Sequence, residues 1–306
     1  MYLFVTIKNS PSSDAIMLTA GERNISMFRF NLDMSDSYDF EWHGDAFEII
    51  DPTGRCCRSN ELKGVAFYHA RMAIDQPLES ESKFGGETKW IISYLNHIHD
   101  ALLDYALDHD ILRLWTPFAL RKTKPLQMKI AEKYFAVPDF RIHWGKTFPP
   151  HQVICKQLTQ RPFSDGKVPF VKKVDIATLD PTWPWFTQEI ADGDRDATVL
   201  YVNGHIHSYQ FATVRGELTD WRVTQGTERN QWIPWGPGYE FERKVDAYMK
   251  EMELKYGRLD FIIGGKEPQF LEVNPCGQFG WLDDEKHTLH NEVVDAILDP
   301  SSTVNC

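Results

Sequence analysis

The stretch LDFIIGGKEPQFLEVNP, residues 259–275, decides the fold. LDFII (259–263) and FLEVNP (270–275) are apolar runs of strand length, and Gly264-Gly265-Lys266-Glu267 between them has the composition of a hairpin turn. On a strand, residues two apart share a face, so Glu272 and Asn274 project together. A tight turn sets Asp260 roughly opposite Glu272, with Cβ atoms about 5 Å apart. The flanking Phe261, Phe270, Leu271 and Val273 are apolar. Two carboxylates and an amide oxygen on one patch call for a cation, and hard oxygen ligands suit Mg2+, which takes one or two carboxylates together with substrate phosphates. A polar strand face turned to solvent has the same pattern, and the hairpin alone leaves both readings open.

Upstream, HQVICKQL (151–158) reads as a strand that carries Lys156 among Val, Ile and Cys. A lysine in such surroundings keeps its charge where an anion meets it, and a nucleotide phosphate is one such anion. A strand with Lys156 on its wet face is the plainer alternative. WFTQEI (185–190) runs from apolar to acidic; its backbone suits an edge for an adenine ring, with Glu189, Asp194 or Asp196 near enough in sequence to take ribose hydroxyls.

The rest of the chain supplies a frame for these pieces. MYLFVTI (1–7), ISMFRFNL (25–32) and GVAFYHA (64–70) read as strands, with PSSDAIMLTAGE between the first two as a helix. Strand, helix, strand predicts a small α/β lobe with a parallel sheet. SESKFGGE (80–87) reads as a loop. Ile91, Tyr94, Leu95, Ile98, Leu102 and Tyr105 recur at helical spacing. Thr123-Lys124-Pro125 opens a second helix, which ends before Val137-Pro138. Strands follow at 140–144, 151–158, 169–176, 185–190, 197–202 and 205–213, the last two joined by the hairpin signal Asn203-Gly204. Phe241, Val245, Tyr248, Met249 and Met252 mark a long helix with Gly257 as its stop, and a last helix covers 286–298.

The 306 residues exceed one average domain and fit two or three lobes. A net charge of −11 argues against non-specific binding to nucleic acid or to an anionic membrane. No apolar run reaches bilayer-spanning length, and the first residues lack a signal peptide's basic start and cleavage site, so a cytoplasmic protein is expected. Cysteines at 56, 57, 155, 276 and 306 form no CxxC pair and fit free thiols in a reducing compartment.

Taken in order, Lys156, the Gln188-Glu189-Ile190 strand end, Asp260, Glu272 and Asn274 resemble the ATP-grasp fold. FLEVNPCGQFGWLD (270–283), TKPLQMKIA (123–131) followed by Val137-Pro138, KYGRLDFI (255–262) and Asp220-Trp221-Arg222 are similar to signatures of the ATP-grasp peptide maturases that make graspetides, such as microviridins. FVTIKNSPSSDAI (4–16), MFRFNLD (27–33) and GVAFYHARM (64–72) look like that family's first lobe, so the likeness spans nearly the whole chain.

The resemblance implies an α/β (α+β), three-lobed ATP-grasp fold with an N-terminal pre-ATP-grasp lobe over 1–115, a central lobe over 116–185 and a C-terminal lobe over 186–306. It implies an ATP- and Mg2+-dependent ligase. Such an enzyme phosphorylates a side-chain carboxylate of a ribosomally made precursor peptide, and a Ser or Thr hydroxyl or a Lys amine then closes an ω-ester or ω-amide ring. Lys124 and Lys156 would hold phosphates. Gln188, Glu189 and Ile190 would meet adenine, with Asp196 nearby for the nucleotide. Asp260, Glu272 and Asn274 would hold Mg2+, and Arg222 would steady the γ-phosphate or acyl-phosphate. A homodimer is expected by the same likeness. Phosphoryl transfer needs positioning and charge neutralisation more than a protein nucleophile, which suits this inventory.

Two departures bear on the substrate. The family usually has Arg in an Asp-x-Arg run, whereas Asp196-Ala197-Thr198 ends in Thr; and TQRPFSDGKVPF (159–170), after Lys156, has a single Gly. An ATP-grasp ligase of small molecules, such as amino acids or dipeptides, is the second reading. A non-catalytic nucleotide- or peptide-binding module fits less well, because both carboxylates and both lysines are present. His97-x-His99, His205-x-His207 and His287-x-x-His290 lack the cysteines or the HExxH pattern of zinc sites. Trp232 and Trp235 suit either core packing or a substrate groove, and Cys276 has no base in sequence that would make it a nucleophile.

Overall fold

The computed structural model describes residues 1–70, 87–115, 123–156, 158, 171–214 and 232–304. Residues 80–86 and 159–170, Arg215, Asp220-Trp221-Arg222 and Arg229 lie outside them.

The first lobe follows from its apolar runs. β1 (Tyr2–Thr6) leads through α1 (Pro11–Glu22) to β2 (Met27–Asn31), which pairs parallel to β1 in the register Tyr2 to Met27. β3 (Asp39–His43), β4 (Ala46–Ile50) and β5 (Cys56–Arg58) form an antiparallel meander that the sequence reading did not anticipate. Its strands are short, and their apolar side, with Phe47, Ile49 and Cys57 buried and Phe40 and Trp42 stacked on Phe47, joins the core of the first lobe. β6 (Gly64–Phe67) joins the other edge of β1, α2 (Thr88–Asp108) covers the sheet, and β7 (Leu112–Arg113) completes the order β2-β1-β6-β7.

α3 (Lys124–Ala131) opens with Pro125 in its first turn and leads to a central antiparallel sheet. That sheet comprises β8 (Phe140–His143), β9 (Gln152–Lys156), β10 (Lys172–Asp175) and β11 (Trp185–Gln188), in the order β10-β9-β11-β8. The third sheet holds β12 (Gly193–Val202), β13 (His205–Phe211), β14 (Trp232–Pro234), β15 (Tyr256–Gly264) and β16 (Gln269–Asn274), in the order β14-β13-β12-β15-β16. Both hairpins expected from the sequence are present: Val202 faces His205 across Asn203-Gly204, and β15 pairs antiparallel with β16.

α4 (Tyr239–Glu251) precedes β15, and Gly257 is not its stop. The chain leaves the helix at Glu253, in the left-handed region at φ 56°. Gly257 lies inside β15, where a Cβ would come within 2.9 Å of both Met249 and Val273. Glycine is required there by close packing rather than by a turn.

Alternation gives the third sheet two faces. Val199, Tyr201, Leu259, Phe261 and Val273 bury against Met128 of α3 and Val245, Tyr248 and Met249 of α4. Phe135 and Phe270 stack in this core with centroids 6.0 Å apart, and Phe261 meets Phe135 edge-on. On the other face, Leu200 and Val202 join Phe4 and Ile16 of the first lobe, together with Leu289, Val293 and Ile297 of α5 (Thr288–Leu298). Trp232 and Trp235 pack against these two cores, Trp232 on Phe211 and Trp281, and Trp235 on Phe241. No helix among the described residues is long and apolar enough to cross a membrane.

Candidate active site

The polar end of the third sheet collects the residues of the 259–275 hairpin. Asp260 faces Glu272 and Arg258 faces Asn274 across β15 and β16, and Asp260 also faces Thr198 on β12. The register slips between Asp260 and Phe261, so the pairing stays in phase on the Asn274 side only. Asp260 is well supplied with donors. Thr198 Oγ1 donates to Oδ1 at 2.9 Å and Arg258 Nε to the same atom at 3.3 Å. Arg258 Nη2 and Asn274 Nδ2 each donate to Oδ2 at 3.2 Å. The Asn274 amide nitrogen also reaches Glu272 Oε1 at 3.5 Å. To ligate a cation through oxygen, Asn274 turns this amide over.

Glu272 meets a different cation. Lys124, at the start of α3, places Nζ 2.5 Å from Glu272 Oε2. α3 reaches this position because it packs on β16, where Gln127 Oε1 also accepts the Val273 N–H at 3.4 Å. Burial pushes the Glu272 carboxyl up, but Lys124, Lys156 and Arg258 outweigh burial and hold it down to about 2. The lysines predicted from separate segments therefore converge on one carboxylate.

Lys156 arrives from the central sheet. β9 and β11 pair with Lys156 opposite Phe186 and Gln188 opposite Ile154, so Lys156 and Gln188 project from the same face. Phe186 on that face packs with Ala197 and Met128, which turns it toward the third sheet. Gln188 is 2 % exposed, and its Nε2 is buried with no hydrogen-bond partner among the described residues. A buried amide in that condition suits a ligand acceptor.

Other site residues predicted from sequence lie apart from this patch. Glu189 points to the outer side of the central sheet, 3.3 Å from His151 and 4.0 Å from Arg141, and its N–H donates to the Asp139 carbonyl at 2.7 Å. Ile190 is exposed. Asp196 is buried on β12 opposite Ile262 and shares a face with Thr198, nearer the carboxylate patch than a reading beside Glu189 suggests. Arg222 lies outside the described residues. Cys276 is a neutral thiol, pushed up to about 11 by burial despite a hydrogen bond from the His69 backbone.

Arg258 was overlooked as a site residue, although it stands inside KYGRLDFI; its position two residues before Asp260 was the available signal. Gly277 makes room for it. A Cβ on Gly277 would lie 2.7 Å from Arg258 Cβ and 3.1 Å from Asn274 Cβ. Gly277→Ala is therefore expected to displace both side chains and cost about 1–3 kcal/mol in thermal or denaturant unfolding. Unchanged stability and unchanged nucleotide binding in this variant would show that the turn has slack.

The histidine pairs have structural partners. Asp283 gathers with His287 and His290, but its oxygens accept the N–H groups of Asp284, Leu289 and His290 as the cap of α5. His205 and His207 share Glu292.

No protein-family model and no curated protein matches the chain. Solved structures do. A RiPP-associated ATP-grasp ligase from Chryseobacterium gregarium, in complex with ADP and a leader and core peptide, superposes with a TM-score of 0.80 at 19% identity, covering 100% of this chain and 98% of that one. Macrocyclase MdnC from Microcystis aeruginosa, bound with precursor peptide MdnA, gives 0.75 at 19%, covering 97% and 99%. ATP-grasp ligase PsnB, complexed with a phosphomimetic variant of a minimal precursor, Mg and ADP, gives 0.72 at 14%, covering 98% of each chain. The chain has the ATP-grasp ligase fold over its full described length.

Proposed function

We propose that this protein is an ATP-dependent ligase that activates a side-chain carboxylate of a precursor peptide and closes it onto a hydroxyl or amine of the same peptide. The observation that carries this reading is the convergence of Lys124 and Lys156 on Glu272, beside Asp260 and Asn274, within an ATP-grasp fold. The three lobes are taken as 1–115, 116–185 and 186–306, the last two clasping the nucleotide. The solved neighbours whose described complexes include peptides support a peptide acceptor over a free amino acid.

The donor set fits a magnesium nucleotide. Asp260, Glu272 and the Asn274 amide oxygen would hold the cation, which with ATP supplies a transferable phosphoryl group and neutralises its charge. Lys124 and Lys156 hold phosphate oxygens, and Lys124 exchanges Glu272 for phosphate in doing so. Gln188 gains the acceptor that its buried amide lacks; Asp196 and the main chain at Glu189 and Ile190 would border the nucleotide, with the Glu189 side chain turned away from it. A carboxylate oxygen of the peptide attacks the γ-phosphorus and ADP leaves. The hydroxyl or amine then attacks the acyl carbon, phosphate leaves and the nucleophile gives up its proton. Each ring thus costs one ATP and removes one water from the peptide.

The test is co-expression with a short peptide encoded beside this chain, followed by mass spectrometry. Loss of one water per ring, dependent on ATP, is expected. Release of ADP stimulated by a free amino acid or dipeptide, with no change in any encoded peptide, would replace this reading with that of a small-molecule ligase.

A further inference from the structure

Arg258 is held in a built setting. Its side chain is 16% exposed, lies over the Trp281 ring at 5.5 Å, and donates from Nη1 to the Gln278 carbonyl at 2.9 Å. Nε and Nη2 donate to Asp260. A guanidinium has five N–H donors. Among the described residues three are engaged, which leaves one on each terminal nitrogen.

The same patch poses an electrostatic problem for the proposed reaction. With the cation on Asp260 and Glu272, a substrate carboxylate still has to approach the nucleotide's phosphates, which carry its own sign. The lysines cannot both hold phosphate and also meet it. A cation on this face with spare, fixed donors resolves the repulsion, and a planar guanidinium offers two N–H groups to one carboxylate.

We propose that Arg258 holds the substrate's carboxylate beside the phosphate site, and so selects an acidic side chain as the group to be activated. This rests on the peptide-ligase reading above. Asp260, Gln278 and Trp281 fix the guanidinium, so it meets the ligand with little loss of side-chain freedom. Lysine in its place keeps a charge near Asp260 but lacks the fork.

Calorimetry with the co-encoded peptide tests this in the presence of ADP and Mg2+. Two peptides are compared, the natural one and one with its Glu and Asp residues replaced by Gln and Asn. Wild-type enzyme is expected to prefer the acidic peptide by on the order of tenfold. Arg258→Ala is expected to bind both alike, and because the two peptides are compared within the same variant, any change in its ADP affinity cancels. Should that variant fail to fold, Arg258→Lys carries the test and is expected to lose most of the preference. A preference retained in the variants, or absent from the wild type, overturns the assignment. Failure of the ligase reading looks different: the wild type then shows the Arg258-dependent preference, yet no peptide loses water.

Discussion

Glu272→Gln is expected to lose ATP turnover and to melt at a lower temperature than the wild type. Its turnover should fall by at least about 10²-fold, because a charged group that positions the transferring phosphoryl is removed. The direction of the stability change is decided by the ion pair and not by the facing of the two carboxylates. Two facing carboxylates, taken alone, repel, and neutralising one should raise the melting temperature. In the structure Glu272 is instead the partner of Lys124, with Lys156 and Arg258 adding to its stabilisation. Neutralising it strands a lysine, at a cost of about 1–2 kcal/mol after allowance for the part of the pair open to solvent. For a chain of this size that corresponds to a few degrees.

The pH dependence gives a second reading of the same pair. The folded carboxyl titrates below its ordinary range, because Lys124, Lys156 and Arg258 outweigh the opposing effect of burial. A depressed carboxyl stabilises the fold above its unfolded value and loses that contribution as pH falls toward its folded value. The melting temperatures of wild type and Glu272→Gln should therefore differ most at neutral pH and converge below about pH 4. Thermal melts at pH 7 and pH 3 measure this. A variant as stable as the wild type at both, or one that turns over ATP normally with Mg2+, removes Glu272 from the site.

The lysines are expected to give the next largest effect. Lys156→Ala and Lys124→Ala should each weaken ATP binding by roughly tenfold, the range of one charge-assisted contact to phosphate. Their effects on stability should part. Lys124→Ala breaks an ion pair with a 2.5 Å contact and lowers the melting temperature. Lys156→Ala lowers it less. The double variant should fall short of the sum, because both lysines act on one carboxylate. Calorimetric affinities unchanged in both single variants would place the nucleotide elsewhere.

Much of this was legible in the sequence because the decisive interactions are local. The facing of Asp260 and Glu272 follows from a hairpin with a short turn, and the direction of Asn274 from a two-residue period. The parallel pairing of the first lobe follows from strand, helix, strand. What was missed depends on partners distant in the chain. The approach of Lys124 to Glu272 is set by how α3 lies on β16, which no periodicity encodes. The Thr198 position read as a missing arginine; in the structure its hydroxyl binds Asp260, and Arg258, two residues along the neighbouring strand, brings the guanidinium to the same carboxylate. The guanidinium expected on one strand stands on its neighbour, and a reading of either strand alone does not show that both positions meet one carboxylate. Gly257 misled for a related reason, since a glycine demanded by packing and one demanded by a turn look alike in a string of letters.

The segment that follows α5 has a bearing on how the chain is made. Residues 302–304 continue the first sheet: Leu114 donates to the Ser302 carbonyl at 3.2 Å, and Val304 to the Leu112 carbonyl at 3.1 Å. Arg113 Nη1 reaches Thr303 Oγ1 at 2.5 Å, and Val304 sits in the first lobe's core. A ribosome delivers β1 first and these residues some three hundred later. Until they emerge, the outer edge of β7 lacks its partner backbone, and the α5 side of that lobe has no cover. Loop closure over such a separation is slow, and exposed strand edges invite association with other chains. The growing polypeptide thus carries an unfinished first lobe through most of its synthesis. The first lobe is therefore completed by a segment about three hundred residues from β1, and it does not close as a unit ahead of the rest.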